Sequence, residues 1–245
     1  YGGGVSASRL ARAGKTVAVL ERGREVVTGE FPARLPDMRN EMRVTGKRMS
    51  LGSETGLYDV RLGDDMHVLV GRGLGGGSLV NAGVALRPDQ RVFTDPVWPG
   101  QIVQDGLLDE GYRRARQWLV PSSDPKAEEQ TKFRSLTAAT ETMPGRAVAP
   151  ETVVSYEDTV SSGGIAQPAC TRCGDCCGGC NVGAKNTVAL TYLPDAVRHG
   201  AELFTFARVS HVAKVADGWV VAITNKDGSA ASDDREIIVK ADTVI

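Results

Sequence analysis

The sequence has almost no excess of either charge and no long apolar run, and these two absences exclude two classes of protein. Lys and Arg number 29 against 30 Asp and Glu, so the formal net charge is −1. We therefore expect no broad basic surface that would hold a phosphate backbone, and no nucleic-acid partner. The longest apolar runs, such as 16–20 and 218–223, are far shorter than the roughly 20 residues that a membrane span needs. We expect no membrane span.

What the sequence does contain is an ordinary globular composition with abundant glycine. Its 245 residues are 41% hydrophobic and 24% charged, which fits one large domain or two small ones. The 29 glycines cluster at 2–4, 71–77 and 174–183. Glycine permits a close approach of the backbone to another group, so these clusters are candidate functional segments.

The order of local patterns predicts an α/β fold. Residues 4–13 have helical spacing and end at Gly14, and the apolar run 16–20, which ends at Glu21, is typical of a strand buried in a parallel sheet. Residues 24–65 contain prolines, glycines and scattered charges and predict loops with short helical pieces. The patterns further predict a strand at 66–70, helices at 107–119, 124–142 and 187–199, and an antiparallel meander of strands at 203–215, 219–224 and 236–239, joined by turns at 216–218 and 226–228.

Gly2, Gly3, a helix, a strand and Glu21 follow one another in the order that a dinucleotide-binding fold requires. The amides of such a helix face a pyrophosphate, and an acid after the next strand accepts hydrogen bonds from ribose hydroxyls. Glu21 comes 18 residues after Gly3, close to the expected spacing of roughly 20. A carboxylate there would repel a 2′-phosphate, which disfavours NADP. The alternative is a glycine-rich turn before a surface helix.

The second glycine segment, residues 71–83, is too rich in glycine for an ordinary helix. Its amides could surround a planar ring or a phosphate, and Ser78 and Asn81 offer hydrogen bonds. It lacks the Gly-Lys-Ser/Thr ending of a nucleoside-triphosphate loop. A flexible linker is the alternative, and the apolar runs predicted as strands at 66–70 and 84–86 argue against it.

Three stretches together resemble the FAD-binding signatures of the glucose-methanol-choline (GMC) oxidoreductase family, and within it the bacterial cholesterol oxidases. They are Tyr-Gly-Gly-Gly at 1–4, Val-Leu-Glu-Arg-Gly at 19–23 and Gly-Gly-Gly-Ser-Leu-Val-Asn at 75–81. The resemblance implies a Rossmann-like FAD-binding domain with a β-meander and part of an inserted substrate-binding domain. It implies a first part of the FAD domain at 1–87, an insertion with the start of the substrate domain and a Cys-rich loop at 88–186, and a second part of the FAD domain at 187–245.

The same resemblance implies the cofactor-binding residues. Tyr1, Gly2 and Gly3 would lie at the pyrophosphate, Glu21 at the adenosine ribose, and the backbone of Val209 at the adenine. Two residues depart from the steroid oxidases, because Ala82 stands where they usually have Gly and Val84 where they usually have Met. The residues expected beside the isoalloxazine are Gly76, Gly77, Asn81, Ala82 and Val84.

The activity implied by the resemblance is oxidation of a CH–OH group of a steroid or similar lipid alcohol, with hydride passing to FAD and electrons then to oxygen or another acceptor. A long-chain fatty alcohol oxidase is the alternative enzyme, and a flavin/iron–sulfur electron-transfer protein is the alternative of another class. None of His67, His199 and His211 matches a catalytic motif, so the catalytic residues are expected beyond Ile245. The chain is interpreted as an N-terminal fragment without its first strand, and we expect it to be inactive and to hold FAD weakly.

All five cysteines fall within eleven positions, at 170, 173, 176, 177 and 180. The spacing C-x2-C-x2-C-x3-C matches a ferredoxin run, but no remote cysteine is present to complete a cluster. Four-thiolate zinc usually joins two separated pairs. An iron–sulfur cluster, zinc and a loop without metal all stay open, and bound metal would favour a reducing, cytoplasmic compartment. The sequence says nothing about a signal peptide. The candidates for metal ligands are Cys170, Cys173, Cys176, Cys177 and Cys180.

Overall fold

The computed structural model describes residues 1–142, 144–225 and 236–245. Four short 3-10 turns occur among the elements, including one at Gly76–Leu79 and one at Asp175–Cys177. The helices are α1 (Gly2–Arg12), α2 (Leu35–Asn40), α3 (Gly100–Gln104), α4 (Leu107–Leu119), α5 (Thr131–Thr140) and α6 (Tyr192–Arg198). The strands are β1 (Ala18–Leu20), β2 (Met42–Gly46), β3 (Met49–Gly52), β4 (Tyr58–Leu62), β5 (His67–Gly71), β6 (Thr159–Val160), β7 (Ala166–Gln167), β8 (Glu202–Phe204), β9 (Ala207–Val215), β10 (Gly218–Asn225) and β11 (Glu236–Ala241).

The predicted first helix and first strand are present as α1 and β1, and they form a small parallel unit with the second half of the chain. Strand β1 covers only 18–20, however, and is exposed to half-buried instead of fully buried. Strand β1 pairs in parallel with β8, and the amide of Glu21 continues the ladder to the carbonyl of Phe204 at 2.8 Å. Helix α1 packs on α6, where the buried carboxylate of Asp195 accepts hydrogen bonds from Ser8 and Arg12. Two segments separated by about 180 positions are therefore joined at one place.

The expectation of loops and short helices at 24–65 is confirmed at 24–41, which contains only the short helix α2, but it misses three strands between 42 and 62. Strands β2, β3, β4 and β5 form a four-stranded sheet in the order β3-β2-β4-β5, in which only β2 and β4 run parallel. Glycines in this range mark places where strands and turns touch: a Cβ on Gly52 would lie 2.2 Å from the carbonyl oxygen of Met42, and one on Gly56 would lie 2.4 Å from that of Glu41. Glycines that locally indicate loops are thus required by contacts within a sheet.

The antiparallel meander is confirmed, with the order β11-β10-β9. The predicted strand at 203–215 is divided into β8 and β9, because the chain turns at Phe206, which has a φ of 54°. Ala207, Val221 and Ile223 of the meander pack with Leu20 of β1, so the meander lies beside the parallel pair. The predicted turn at 226–228 lies outside the described residues.

Two predicted helices are shorter than expected, while α4 is confirmed. The region from 124 begins with a turn, because the Asp124 carboxylate accepts from the amide of Lys126, and α5 starts only at Thr131. The helix expected at 187–199 starts at Tyr192, because Thr191 has φ −118° and ψ −82°, which are not helical values. The strand expected at 84–86 is reduced to one bridge between Val84 and Thr152.

Within the described ranges, no helix is both long enough and apolar enough to cross a membrane.

A candidate nucleotide-binding site between two glycine segments

The first glycine segment is the start of helix α1. Its N-cap residue, Tyr1, makes no capping hydrogen bond through its side chain, and the first turn contains no acidic residue. A Cβ on Gly2 or Gly3 would meet no atom within 4 Å, whereas one on Gly4 would lie 2.3 Å from Cγ1 of Val188. Packing therefore explains Gly4 but not Gly2 or Gly3. Since each glycine costs a helix about 1 kcal/mol relative to alanine, the first two are best explained by a group that approaches the free amides of this turn.

The second glycine segment follows strand β5 and contains a short 3-10 turn. Gly75 and Gly76 adopt φ values of 119° and 56°, which favour glycine. Ser78 anchors the turn because its hydroxyl donates to the carbonyl of Gly75 at 2.6 Å and accepts from Val188. Gly77 has neither a positive φ nor an atom within 4 Å of a Cβ built on it. Like Gly2 and Gly3, it is a glycine that the fold itself does not require.

The structure brings the two glycine segments together through Tyr1 and Asn81. The side-chain amide of Asn81 donates a hydrogen bond of 2.8 Å to the hydroxyl of Tyr1. The side-chain oxygen of Asn81 accepts from the amide of Gly83 at 3.1 Å, which fixes the orientation of its amide group. The start of α1 and the end of the second glycine segment therefore border one place on the molecule.

Glu21 lies at the other end of the second glycine segment. Its carboxylate accepts from the amide of Gly23 at 2.7 Å, and a Cβ on Gly23 would lie only 2.6 Å from the amide nitrogen of Gly73. Burial raises the pKa of Glu21, and the Gly23 amide and the charges of Arg22 and Arg72 offset part of this effect. Glu21 and Asn81 thus mark the two ends of one glycine-lined segment.

The remaining residues expected at the cofactor lie at these same two ends. The chain entering β9 is hydrogen-bonded to the turn after Glu21, since the amide of Ala207 donates to the carbonyl of Glu21 at 2.9 Å. Val209 follows two residues later in β9 and is exposed. Ala82 and Val84 are exposed and follow Asn81 by one and three residues. Gly76 has a positive φ and lies within the second glycine segment.

A charged cluster beneath the Glu21 end was not predicted from the sequence. The carboxylate of Asp59, on β4, is only 1% exposed and accepts hydrogen bonds from three guanidinium groups. Burial opposes its ionisation, but these hydrogen bonds outweigh burial and lower the pKa of Asp59. Arg72, inside the second glycine segment, is itself buried, and its second anchor is the carbonyl of Glu54. The three donors are Arg22 at 2.7 Å, Arg72 at 3.0 Å and Arg61 at 3.1 Å.

A buried lysine beneath the Asn81 end was also missed. Lys185 is fully buried, and its ammonium donates to the carbonyls of Leu79, Asn81 and Cys176 at 2.9, 2.9 and 2.7 Å. Burial lowers its pKa, and the neighbouring thiols of the cysteine-rich loop act in the opposite direction. One feature of the sequence does set this lysine apart, because no Asp or Glu occurs between Asp175 and Asp195.

The cysteine-rich loop gives no support to the iron–sulfur or zinc hypothesis. In the described part of the chain, no group of three or more His, Cys, Asp or Glu side chains is arranged to hold a metal ion. All five cysteines are free thiols. The loop is held by other contacts: the hydroxyl of Tyr58 donates to the carbonyl of Gly178 at 2.5 Å, and the side-chain amide of Asn181 exchanges two hydrogen bonds with the backbone of Phe31.

None of the three histidines belongs to either glycine segment. His199 follows the last residue of α6, and its Nδ1 is 2.8 Å from the carbonyl oxygen of Asp195. His67 begins β5 and His211 lies in β9, and both are exposed. We assign none of them a catalytic role.

Three known proteins with related sequences are oxidoreductases by name. Cholesterol oxidase of Mycobacterium tuberculosis is 28% identical over the whole chain, which covers 44% of that enzyme. Cholesterol oxidase of Acinetobacter baumannii is 27% identical over 86% of the chain and 39% of the enzyme. An uncharacterised GMC-type oxidoreductase of M. tuberculosis is 32% identical over 86% of the chain and 30% of that protein. The chain thus spans less than half the length of these relatives.

The family model for GMC oxidoreductases, a family that binds FAD, matches residues 3–245. A match over nearly the whole sequence agrees with the mixed α/β fold and with the two glycine segments. This chain belongs to the GMC oxidoreductase family.

Proposed function

We propose that the protein is an FAD-dependent oxidoreductase that oxidises a CH–OH group of a steroid or similar lipid alcohol. Hydride passes to the flavin, and electrons then pass to oxygen or another acceptor. The family supports the reaction class, and two relatives named cholesterol oxidase, at 27–28% identity, support a steroid substrate. The single observation that carries the proposal is that Tyr1 and Asn81 join the two glycine segments while Glu21 lies at the far end of the second one.

The residues fit FAD in their chemistry. Gly2 and Gly3 leave the amides at the start of α1 open to a pyrophosphate, which the helix dipole favours. The carboxylate of Glu21 would accept hydrogen bonds from the adenosine ribose, and Val209 would contact the adenine through its backbone. Bound FAD would supply the hydride acceptor. The residues proposed at the isoalloxazine are Gly76, Gly77, Asn81, Ala82 and Val84.

The proposed architecture is a Rossmann-like FAD domain built from 1–87 and 187–245, with 88–186 as an insertion that begins the substrate domain. The parallel pairing of β1 with β8, and the meander beside it, support this division. The proton-accepting group of the reaction is proposed to lie beyond Ile245. The part played by residues 1–245 is to bind and orient the cofactor.

The test uses the full-length protein, because the substrate domain must be complete. We expect purified protein to contain FAD, released on denaturation, and to oxidise cholesterol to the ketone faster than it oxidises hexadecanol. A preference for hexadecanol would replace the steroid with a long-chain alcohol and keep the reaction class. Absence of FAD, or absence of alcohol oxidation by a flavin-loaded protein, would overturn the proposal. Iron and sulfide in stoichiometric amounts would favour an electron-transfer protein instead.

A further inference from the structure

Lys185 is a buried cation that forms no ion pair with a carboxylate of the described residues. Its three N–H donors are satisfied by three carbonyls, so the side chain is fully hydrogen-bonded. Its charge is not balanced in the same way, since all three acceptors of its hydrogen bonds are neutral carbonyls. Burial of an ion that lacks a charged partner costs several kcal/mol, and methionine would fill similar volume without that cost.

The three acceptors of Lys185 lie in two segments that converge on the proposed flavin site. Leu79 ends the 3-10 turn of the second glycine segment, and Asn81 binds Tyr1. The third acceptor, Cys176, belongs to the cysteine-rich loop. The stem of Lys185 also supports Gly83, where an added Cβ would lie 3.6 Å from Cδ of the lysine. The side chain of Lys185 therefore binds the backbone of residues 79–83 at two carbonyls and holds it in place.

We propose that Lys185 is a positioning residue for residues 79–83 and that its positive charge raises the reduction potential of a flavin bound against them. This inference rests on the proposed function. A flavin that accepts hydride gains negative charge, so a nearby cation stabilises the reduced cofactor more than the oxidised one. The incoming negative charge then balances the buried ammonium, which none of the carboxylates in the described ranges does.

The first test replaces the lysine in the full-length holoprotein. Lys185→Gln removes the charge and keeps two donors, whereas Lys185→Met removes both charge and donors. Lys47→Gln is the matched control, because it makes the same charge change on a side chain that is 73% exposed. We expect a more negative flavin midpoint potential in both Lys185 variants, and weaker FAD binding chiefly in Lys185→Met, with Lys47→Gln like wild type.

Sulfite provides a second readout, since its addition to oxidised flavin creates a negatively charged adduct. We expect the sulfite dissociation constant to rise roughly tenfold in Lys185→Gln, because the negative charge of the adduct loses the attraction of a nearby cation. An unchanged potential and sulfite affinity in a Lys185→Gln protein that holds FAD would overturn the inference and leave Lys185 as a structural cap.

A second pair of variants leaves Lys185 in place and avoids the risk that its replacement unfolds the protein. Cys176 is half-buried, and its carbonyl accepts a hydrogen bond of 2.7 Å from the ammonium of Lys185. Cys176→Asp would give the ammonium a carboxylate partner, and Cys176→Ser is the neutral control. We expect a lower potential and weaker sulfite binding in Cys176→Asp only. Equal values in both variants would contradict the inference.

The two proposals fail in different ways. A wild-type full-length protein that binds no FAD refutes the proposed function, and the Lys185 inference falls with it. A wild-type protein that binds FAD and oxidises the alcohol, with a potential that does not respond to Lys185→Gln or Cys176→Asp, refutes the Lys185 inference alone.

Discussion

Asn81 donates a 2.8 Å hydrogen bond to the hydroxyl of Tyr1, although 80 positions separate the two residues. This contact closes one end of the glycine-lined segment against the start of α1. A flavin nucleotide that spans the segment would therefore meet a preformed junction. A binding surface that is ordered before its ligand arrives costs less entropy when the ligand binds.

Tyr1→Phe tests this junction. The variant removes one hydrogen bond and keeps the ring, so we expect FAD affinity to fall by a few fold, corresponding to about 1 kcal/mol. Flavin binding to the full-length apoprotein, followed by fluorescence quenching, measures the effect. Tyr112→Phe, which alters a tyrosine on α4 away from the glycine segments, is the control. Identical FAD affinity in Tyr1→Phe and wild type would show that the junction has no role in binding.

A pair of glycine substitutions separates function from packing. Gly3→Ala places a methyl group where no atom lies within 4 Å. We therefore expect the free energy of unfolding of the apoprotein to stay the same or to rise by up to about 1 kcal/mol. We expect FAD to bind more weakly. Gly23→Ala places a Cβ 2.6 Å from the backbone of Gly73, so we expect a loss of stability of about 1–3 kcal/mol. Thermal unfolding and flavin titration measure both quantities. Normal FAD affinity in Gly3→Ala would show that the pyrophosphate does not bind at this turn.

The local elements of this fold could be predicted from the sequence, and the reason is visible in particular residues. Helix α1, strand β1 and helix α4 have apolar positions at their own periodicity and end at residues such as Gly14 and Glu21. The meander likewise has turn residues between apolar runs. Strands β2 to β4 pair with neighbouring segments, but they were missed because the glycines and charged residues in and between them also indicate loops.

The candidate site divides in the same way. Glu21 and the glycines could be predicted because a dinucleotide imposes an order and a spacing on them. Asp59 and Lys185 could not, because their roles depend on burial and on partners from several segments. Asp59 and Arg61 alternate with apolar residues along β4, a pattern typical of a strand with one face in solvent. Only the fold shows that the carboxylate of Asp59 is buried under Arg22 and Arg72.

Glu21 predicts a pH dependence of FAD binding. Burial raises the pKa of Glu21, so its carboxylate takes up a proton at a higher pH than an exposed one, and the protonated group is a weaker acceptor for ribose hydroxyls. We expect FAD affinity to fall as the pH drops through this raised pKa. Glu21→Gln should bind FAD roughly tenfold more weakly near neutral pH and lack this pH dependence. Parallel pH profiles in variant and wild type would contradict the assignment.

The contribution of Glu21 to the stability of the apoprotein changes with pH in the opposite direction to its contribution to FAD binding. Because the pKa is raised on folding, the folded state binds the proton more tightly than the unfolded state. The contribution of Glu21 to stability therefore declines as the pH rises from the ordinary pKa of 4.5 through the raised value. Glu21→Gln removes this decline, which urea unfolding at several pH values measures.

The stability of the fold is expected to depend strongly on Asp59. Asp59→Asn leaves the buried guanidinium of Arg72 without its carboxylate, and we expect a loss of about 3–5 kcal/mol in the free energy of unfolding. Asp64→Asn is the matched control, because Asp64 is 69% exposed and its pair with Lys47 contributes at most about 1 kcal/mol. Since the pKa of Asp59 is lowered, its contribution is present above the ordinary pKa of 3.8 and is lost as the pH falls through the folded value. Denaturant unfolding of both variants at neutral and acid pH checks these expectations, and equal losses in the two variants at neutral pH would show that the buried cluster does not stabilise the fold.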